Sequence, residues 1–229
     1  MLTVRNVAVT SAIALLAAPA LAAAPAGAVP TVQTEVSIIV ADKVTYGESL
    51  TMSGQVSYVD PDDGEEYGLA DATVVLERRY LDSTEWEELG TQVTAGMWPD
   101  YEFEVTARKG ARYRVSYAGD ETYLPSKAEA TVRVHRKITS KMTEPRADVF
   151  FLKGRVTPKY AGEPVALLRK KCETCSWKAI KTMAATAKST YRFRLPLPGN
   201  GTHYFRARTP ATVLFLKTVS HTWEIRRIR

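Results

Sequence analysis

The two cysteines of this 229-residue chain form a Cys172-Glu173-Thr174-Cys175 motif, which suits a disulfide, a redox pair or part of a metal site. A thioredoxin-like redox pair needs its first cysteine at the N-terminus of a helix, and no helical periodicity surrounds this motif. A zinc site needs two further ligands, and His203 and His221 show no suggestive spacing. We therefore predict a structural disulfide that closes a hairpin and contributes about 2 kcal/mol.

A run of acidic residues is a second candidate for chemistry, because Ca²⁺ prefers carboxylate oxygens as ligands. The candidate ligands are Asp60, Asp62, Asp63 and Glu65. Their spacing lacks the terminal bidentate glutamate of an EF-hand loop. Since acidic turns in β proteins are usually only solvated, a solvated turn is the preferred interpretation and calcium the alternative.

Catalytic motifs are missing from the sequence. It contains no G-x-S-x-G elbow, no H-E-x-x-H pair and no P-loop, and its three histidines lie outside any recognisable triad. The carboxylates cluster in polar loops, where nothing raises the pKa of one member of a pair. We expect a protein that is not an enzyme and holds no cofactor.

The first 28 residues have the layout of a secretory signal peptide. Arg5 provides a positive start, an uncharged alanine-rich stretch runs from Val7 to Leu21, and Ala26-Gly27-Ala28 offers a cleavage site. An uncleaved membrane anchor is disfavoured because the stretch falls short of the ~20 residues that a spanning helix needs. The expected mature protein is exported, with no membrane span.

The remaining chain repeats itself. Val74-Val75-Leu76 returns as Val165-Ala166-Leu167, and Trp86 returns as Trp177, both after 91 residues. Apolar residues alternate with polar ones throughout, which predicts half-buried strands. About seven short strands per copy predict an all-β fold of two tandem immunoglobulin-like antiparallel β-sandwiches. Their predicted bounds are residues 29–136 and 137–229.

The segment Tyr117-Ala118-Gly119-Asp120-Glu121-Thr122-Tyr123-Leu124-Pro125-Ser126 resembles the Y-x-G-D-x-x-Y-x-P-S signature of bacterial immunoglobulin-like (Big-type) repeat domains. In such a turn Gly119 permits a left-handed backbone and Asp120 accepts hydrogen bonds from turn amides. The second copy lacks the signature. The resemblance implies a secreted or cell-surface spacer, adhesive module or enzyme accessory of bacterial origin, and it supplies neither catalytic residues nor a ligand.

Charge is divided unequally between the two copies. Residues 29–136 contain ten Lys and Arg against twenty Asp and Glu, a net charge of −10. Residues 137–229 contain twenty against five, a net charge of +15. Opposite electric fields on two copies of one fold concern the partners of the protein rather than its folding.

The basic copy offers a candidate surface for an anionic polymer. Arg192 and Arg194 alternate with the apolar residues of their strand, so both face one side of it. The candidate residues are Arg169, Lys170, Lys171, Arg192, Arg194, Arg226 and Arg227. Acidic cell-wall glycopolymers such as teichoic acids fit a clustered positive charge, whereas an exported protein rarely meets nucleic acid. Two interpretations stay open beside this one: merely solvated charge, and self-association through the opposite charges of the two copies.

Trp86 and Trp177 stand at the same position in both copies, and we predict that they pack against the core rather than stack on a carbohydrate. Taken together, these features predict a non-catalytic, secreted binding or scaffolding protein of the cell envelope. The alternative is a secreted effector, an adhesin or an inhibitor, that contacts another protein through its loops.

Overall fold

The computed structural model describes residues 31–96 and 98–228, and every regular element in these ranges is a β-strand. The predicted signal peptide lies outside the described residues. The first eleven strands are β1 (Thr34–Val36), β2 (Ile39–Val40), β3 (Lys43–Thr45), β4 (Ser49–Gly54), β5 (Val56–Val59), β6 (Glu66–Gly68), β7 (Thr73–Tyr80), β8 (Glu87–Val93), β9 (Tyr101–Thr106), β10 (Ala111–Tyr117) and β11 (Ser126–His135). The other eight are β12 (Lys137–Arg146), β13 (Val149–Thr157), β14 (Pro164–Lys170), β15 (Lys178–Ala184), β16 (Thr190–Arg194), β17 (Gly201–Thr209), β18 (Thr218–Val219) and β19 (Trp223–Arg227).

Strands β1 to β11 form an N-terminal sandwich. One sheet has the order β3-β11-β10-β7-β8, in which β3 pairs in parallel with β11 and the other pairs are antiparallel. On the other side of the core lie the sheet β2-β4-β9 and the short sheet β1-β5-β6. These two sheets are continuous along the chain, because β4 leads directly into β5. The alternation of the strands turns Met52, Val74 and Tyr113 inward, where they join one buried cluster.

Strands β12 to β19 form a C-terminal sandwich on the same plan. The sheet β12-β13-β16 lies across the core from the sheet β15-β14-β17-β18, and β19 also pairs with β17. Leu152, Phe193 and Phe205 meet in a second buried cluster. In each copy, sheets with mostly antiparallel pairing pack over one core, as in an immunoglobulin-like sandwich, so the predicted all-β sandwich fold is confirmed.

The repeat in the sequence corresponds to a repeated irregularity in the structure. Leu89 is left without a cross-strand partner between β7 and β8, and Ile180 is left without one between β14 and β15. Such an extra residue is a β-bulge, which bends its strand and increases the local twist. Because the two bulges lie 91 residues apart, like the rest of this segment, both copies bend at the same place.

A glycine lies beneath a buried tyrosine in each sandwich. Gly54 pairs with Tyr101, and Gly154 pairs with Tyr191. The Tyr191 hydroxyl donates a hydrogen bond of 3.1 Å to the backbone carbonyl of Thr139, and the Tyr101 hydroxyl donates to a backbone carbonyl in the same way. The ring therefore occupies the space that a side chain on the glycine would need.

The turn between β10 and β11 has the geometry that the Y-x-G-D segment predicts. Gly119 has a φ of 81°, in the left-handed region, and the Asp120 carboxylate accepts hydrogen bonds from the amides of Thr122 and Tyr123. Asp120 also accepts a hydrogen bond of 2.8 Å from the Tyr117 hydroxyl. These bonds, the backbone ones foremost, lower the pKa of Asp120, because they stabilise its charged form.

The junction between the sandwiches is packed. A third buried cluster joins Ala107 and Val134 of the first sandwich to Phe215, which lies between β17 and β18. Two backbone bonds of 2.8 Å cross the junction: Gly110 N–H donates to the Leu214 carbonyl, and Leu216 N–H donates to the Val134 carbonyl. The chain has little freedom here, since these contacts hold both sides of the single residue that separates β11 from β12.

Candidate functional site

Arg192 and Arg194 project outward from β16, as their alternation predicts. Between and beside them, Tyr191 and Phe193 are only 2% and 1% exposed and belong to the core. The neighbouring strand β13 repeats the pattern, with Lys153 and Arg155 exposed. The alternation of each strand thus places two cations on the outer surface of one sheet.

The register of the sheet brings cations from three strands into line. Lys141 of β12 lies opposite Lys153 of β13, and Lys153 lies opposite Arg192 of β16. Adjacent strands are about 4.8 Å apart, so the row spans about 10 Å. Like charges placed directly opposite each other destabilise a sheet, because they repel at short range.

We call the outer surface of this sheet the basic face; its cations are Lys137, Lys141, Lys153, Arg155, Arg192 and Arg194. None of the ion pairs found in residues 31–96 and 98–228 involves them. A shallow, open depression of about 440 Å³ lies between Lys141, Arg155 and Arg192. The Arg192 guanidinium lies 4.1 Å from the ring centre of Phe151, which holds that cation over the sheet.

The other five candidate cations do not join this face. Arg169, Lys170 and Lys171 end β14, in the opposite sheet. Arg226 lies on β19, which also belongs to that sheet. Arg227 donates to the Leu197 carbonyl at 3.1 Å and lies 3.4 Å from the Asp148 carboxylate, so its role is structural.

Four cations of the basic face were missed: Lys137, Lys141, Lys153 and Arg155. Lys137 and Lys141 are four residues apart, and Lys153 and Arg155 are two apart; both spacings keep side chains on one side of a strand. That signal was visible. What the spacing does not contain is which strands are neighbours, and only neighbouring strands bring these pairs together.

The prediction that Trp86 and Trp177 pack in the core is wrong. Both are half-buried on the outer side of their sheets, and each indole lies between two cations. Trp86 has the guanidinium carbons of Arg79 and Arg114 at 4.7 and 4.2 Å from its ring centre. At Trp177 the corresponding distances are 5.3 Å to the Lys170 nitrogen and 4.0 Å to the Arg206 guanidinium carbon. Since cations cover these rings, neither presents an open platform for a sugar.

The two sandwiches differ in how they neutralise the arginine over the indole. In the first, Arg114 forms an ion pair of 2.7 Å with Glu77, whose pKa is lowered mainly by that hydrogen bond. In the second, Leu168 stands at the position of Glu77, and burial lowers the pKa of the unpaired Arg206. The excess positive charge of the second copy thus comes partly from the loss of internal partners.

The acidic loop uses its carboxylates to form turns. Asp60 accepts a hydrogen bond from the Asp62 amide, and Asp63 accepts one from the Glu65 amide and one from the Tyr67 hydroxyl. The bond from the Glu65 amide is the main reason why the pKa of Asp63 is lowered. In the part of the chain that the structure describes, no three Asp, Glu, His or Cys side chains form a group able to hold a metal ion. The four predicted ligands therefore do not converge on a calcium position.

Cys172 and Cys175 lie in the turn between β14 and β15, with their sulfurs at a bonding distance of 2.09 Å. The turn also carries a hydrogen bond of 3.2 Å from the Cys175 amide to the Cys172 carbonyl. The predicted pairing thus closes the end of a hairpin, two residues before Trp177 in the chain.

We expect the purified protein to contain this bond and to depend on it only locally. Its intact mass should increase by about two hydrogens on reduction, and a thiol reagent should label it only after reduction. Replacing both cysteines by serine should lower the free energy of unfolding by about 2 kcal/mol, because the bond closes only a very short loop. Free thiols in native, non-reduced protein would contradict the assignment.

No helix in the described ranges is long and apolar enough to cross a membrane.

Comparisons with known proteins leave the family of this chain open. A scan against models of protein families finds none that matches the chain, and a search of curated proteins finds none either.

Proposed function

We propose that the protein is a non-catalytic, exported binding module of the cell envelope that holds anionic wall polymers on its basic face. The row Lys141, Lys153 and Arg192 carries this proposal. A sheet that only had to be soluble would alternate charges across its strands, because opposite charges there attract and like charges repel. Three aligned cations are maintained against that cost, which suits a ligand that supplies the missing negative charge.

The shape of the site agrees with a polymer. The depression is shallow and open, so it suits a chain that lies across the sheet better than a small molecule that must be enclosed. Cations on three strands offer contacts to several successive anionic groups. Such contacts are weakly specific, and they depend on salt because exposed charges are screened.

The predicted export signal and the resemblance to bacterial surface repeats support a location at the envelope. Wall glycopolymers such as teichoic acids are the polyanions available there, which favours them over nucleic acid.

The test uses the full mature chain and isolated teichoic-acid-bearing walls. Exchanging Arg192→Glu together with Arg194→Glu should weaken binding at least about tenfold at low salt, equivalent to about 1.4 kcal/mol. Wild-type binding should fall as salt rises from about 0.05 to 0.5 M, since the Debye length shrinks to a few ångströms. Folding should survive, because a carboxylate at position 192 lies opposite Lys153 and relieves repulsion.

The matched control is Lys171→Glu with Lys178→Glu. Both lysines are exposed at the hairpin between β14 and β15 of the opposite sheet, so the control changes the net charge equally but leaves the basic face intact. It should keep most of the binding, and walls stripped of teichoic acid should retain little wild-type protein. If both double variants lost the same amount of wall binding, net charge alone would account for the loss, and the basic face would not be the binding site. Binding indifferent to salt would favour the alternative of a protein partner held by the loops.

A further inference from the structure

The N-terminal sandwich has a surface that corresponds, position by position, to the basic face, and its charge is reversed. Glu102 and Glu104 of β9 precede Arg192 and Arg194 of β16 by 90 residues. In both strands a core tyrosine precedes the pair and a core phenylalanine separates its two members. The same sheet position therefore carries two carboxylates in one sandwich and two guanidinium groups in the other.

The registers confirm this correspondence. Glu102 lies opposite Ser53, which lies opposite Ile39. In the same way, Arg192 lies opposite Lys153, which lies opposite Lys141. We call the outer surface of β2-β4-β9 the acidic face, defined by Glu102, Glu104 and Ile39. Ile39 is 70% exposed, so the acidic face has an apolar side chain beside its carboxylates.

Neither face finds its counter-charge within the described part of the chain. Glu102 and Glu104 take part in none of the ion pairs found there, and the same is true of the cations of the basic face. The packed junction also prevents the chain from folding back to bring the two faces together, because one residue separates β11 from β12 and backbone bonds hold both sides.

The two faces match in spacing as well as in sign. Alternate residues on a strand are about 7 Å apart, so the two glutamates and the two arginines leave their strands at the same backbone spacing. A β9 strand laid on a β16 strand can therefore align both pairs at once. The aliphatic parts of the lysine side chains on the basic face can then cover Ile39 of the docked copy, since long charged side chains pack along apolar surfaces.

We propose that a second copy of this chain docks on the basic face through its acidic face. Each copy carries one face of each kind, so two copies can close an antiparallel pair with two identical contacts, or further copies can extend a chain. The docked copy occupies the surface that the proposed function assigns to the wall polymer. The inference does not require the polymer to bind, since it rests on the two faces alone.

The experiment compares four full-length proteins by sedimentation velocity at low and high salt. They are the wild type, the acid-reversed variant Glu102→Arg with Glu104→Arg, the base-reversed variant Arg192→Glu with Arg194→Glu, and the fourfold variant that combines all these changes. The wild type should associate at about 0.05 M salt and dissociate at about 0.5 M. Each double variant should associate at least about tenfold more weakly, because its β9 pair (positions 102 and 104) and its β16 pair (positions 192 and 194) then carry the same sign.

The fourfold variant provides the decisive test, because it can restore the association that each double variant loses. The fourfold variant again has opposite charges on its β9 and β16 pairs, so it should recover association. An equimolar mixture of the two double variants should form mixed complexes, because the β9 pair of each then meets a β16 pair of opposite sign. The control Glu85→Arg with Glu121→Arg changes net charge as much as the acid-reversed variant does, at exposed positions outside the acidic face, and should still associate. Circular dichroism verifies that every variant is folded.

A wild type that remains monomeric at low salt, or a folded fourfold variant that does not recover, overturns the inference. Wall binding is read separately, so the two proposals can fail independently. The acid-reversed variant should lose self-association and keep its wall binding, because its basic face is intact. If it loses wall binding too while the rescue succeeds, the self-association stands and the polymer site is wrong.

Discussion

Replacing Gly154 with alanine is expected to lower the free energy of unfolding of the C-terminal sandwich by about 3 kcal/mol, at the upper end of the usual cost of overpacking. A methyl group at this position would overlap the Thr139 backbone carbonyl oxygen and would lie 2.6 Å from the Tyr191 hydroxyl oxygen. The first contact is with backbone, which cannot rotate away. The strand or the tyrosine must shift, and either movement breaks the bond between Tyr191 and Thr139.

Thermal unfolding followed by circular dichroism measures this effect. For a sandwich of roughly a hundred residues, a loss of about 3 kcal/mol corresponds to a fall in Tm on the order of 15 °C. Gly199→Ala is the matched control, because no atom lies within 4 Å of the methyl group that it adds and Gly199 has an ordinary φ. A Gly154→Ala protein as stable as the control would show that the close approach of β12 and Tyr191 is not maintained in solution.

The second large effect expected is alkaline unfolding. Burial raises the pKa of Tyr101, which is 2% exposed, to about 12, and burial also raises the pKa values of Tyr113, Tyr117, Tyr160 and Tyr191. In the unfolded chain a tyrosine ionises near pH 10. The contribution of these hydroxyls to stability is therefore fully present below about pH 10 and is lost as the pH rises through the folded-state values.

The size of this loss follows from the shift. Two pKa units at Tyr101 alone correspond to about 3 kcal/mol once the pH has passed both values, and the other buried tyrosines add to it. Urea denaturation at a series of pH values gives the free energy of unfolding, while tyrosinate absorbance reports ionisation. The loss of stability between about pH 9 and 11 should be smaller by about 1 kcal/mol in Tyr101→Phe, which lacks one titrating hydroxyl.

Ionisation of every tyrosine near pH 10 in a protein that stays folded would contradict the burial of these hydroxyls. Tyr101→Phe also loses the hydrogen bond to the Ser37 carbonyl, so its stability at neutral pH should fall by about 1 kcal/mol. The pH dependence separates the two contributions to stability. The lost hydrogen bond lowers the stability of Tyr101→Phe already below pH 10, whereas ionisation of the Tyr101 hydroxyl lowers the stability of the wild type only above about pH 10.

Local alternation was enough to predict much of the architecture. Tyr191 and Phe193 point inward and Arg192 and Arg194 outward because successive side chains of a strand face opposite ways. The Cys172 and Cys175 pairing likewise follows from two cysteines near each other at the end of a hairpin. Trp86 and Trp177 were misplaced because alternation is interrupted near the bulges, and the cations that cover the two rings come partly from another strand.

By itself, the sequence determined that this chain has two copies of one β-sandwich, with opposite net charges and with charged residues on the outer side of its strands. These properties depend on composition and on neighbours along the chain. Only the tertiary structure decided that Lys141, Lys153 and Arg192 form a row, because strand pairing joins residues that are 12 and 39 positions apart. It also decided that Arg227 pairs with Asp148. The repeat in the sequence already aligns Glu102 and Glu104 with Arg192 and Arg194, and the strand registers confirm that alignment. Register and sheet order are set by how whole faces pack on a common core, so no single segment contains them.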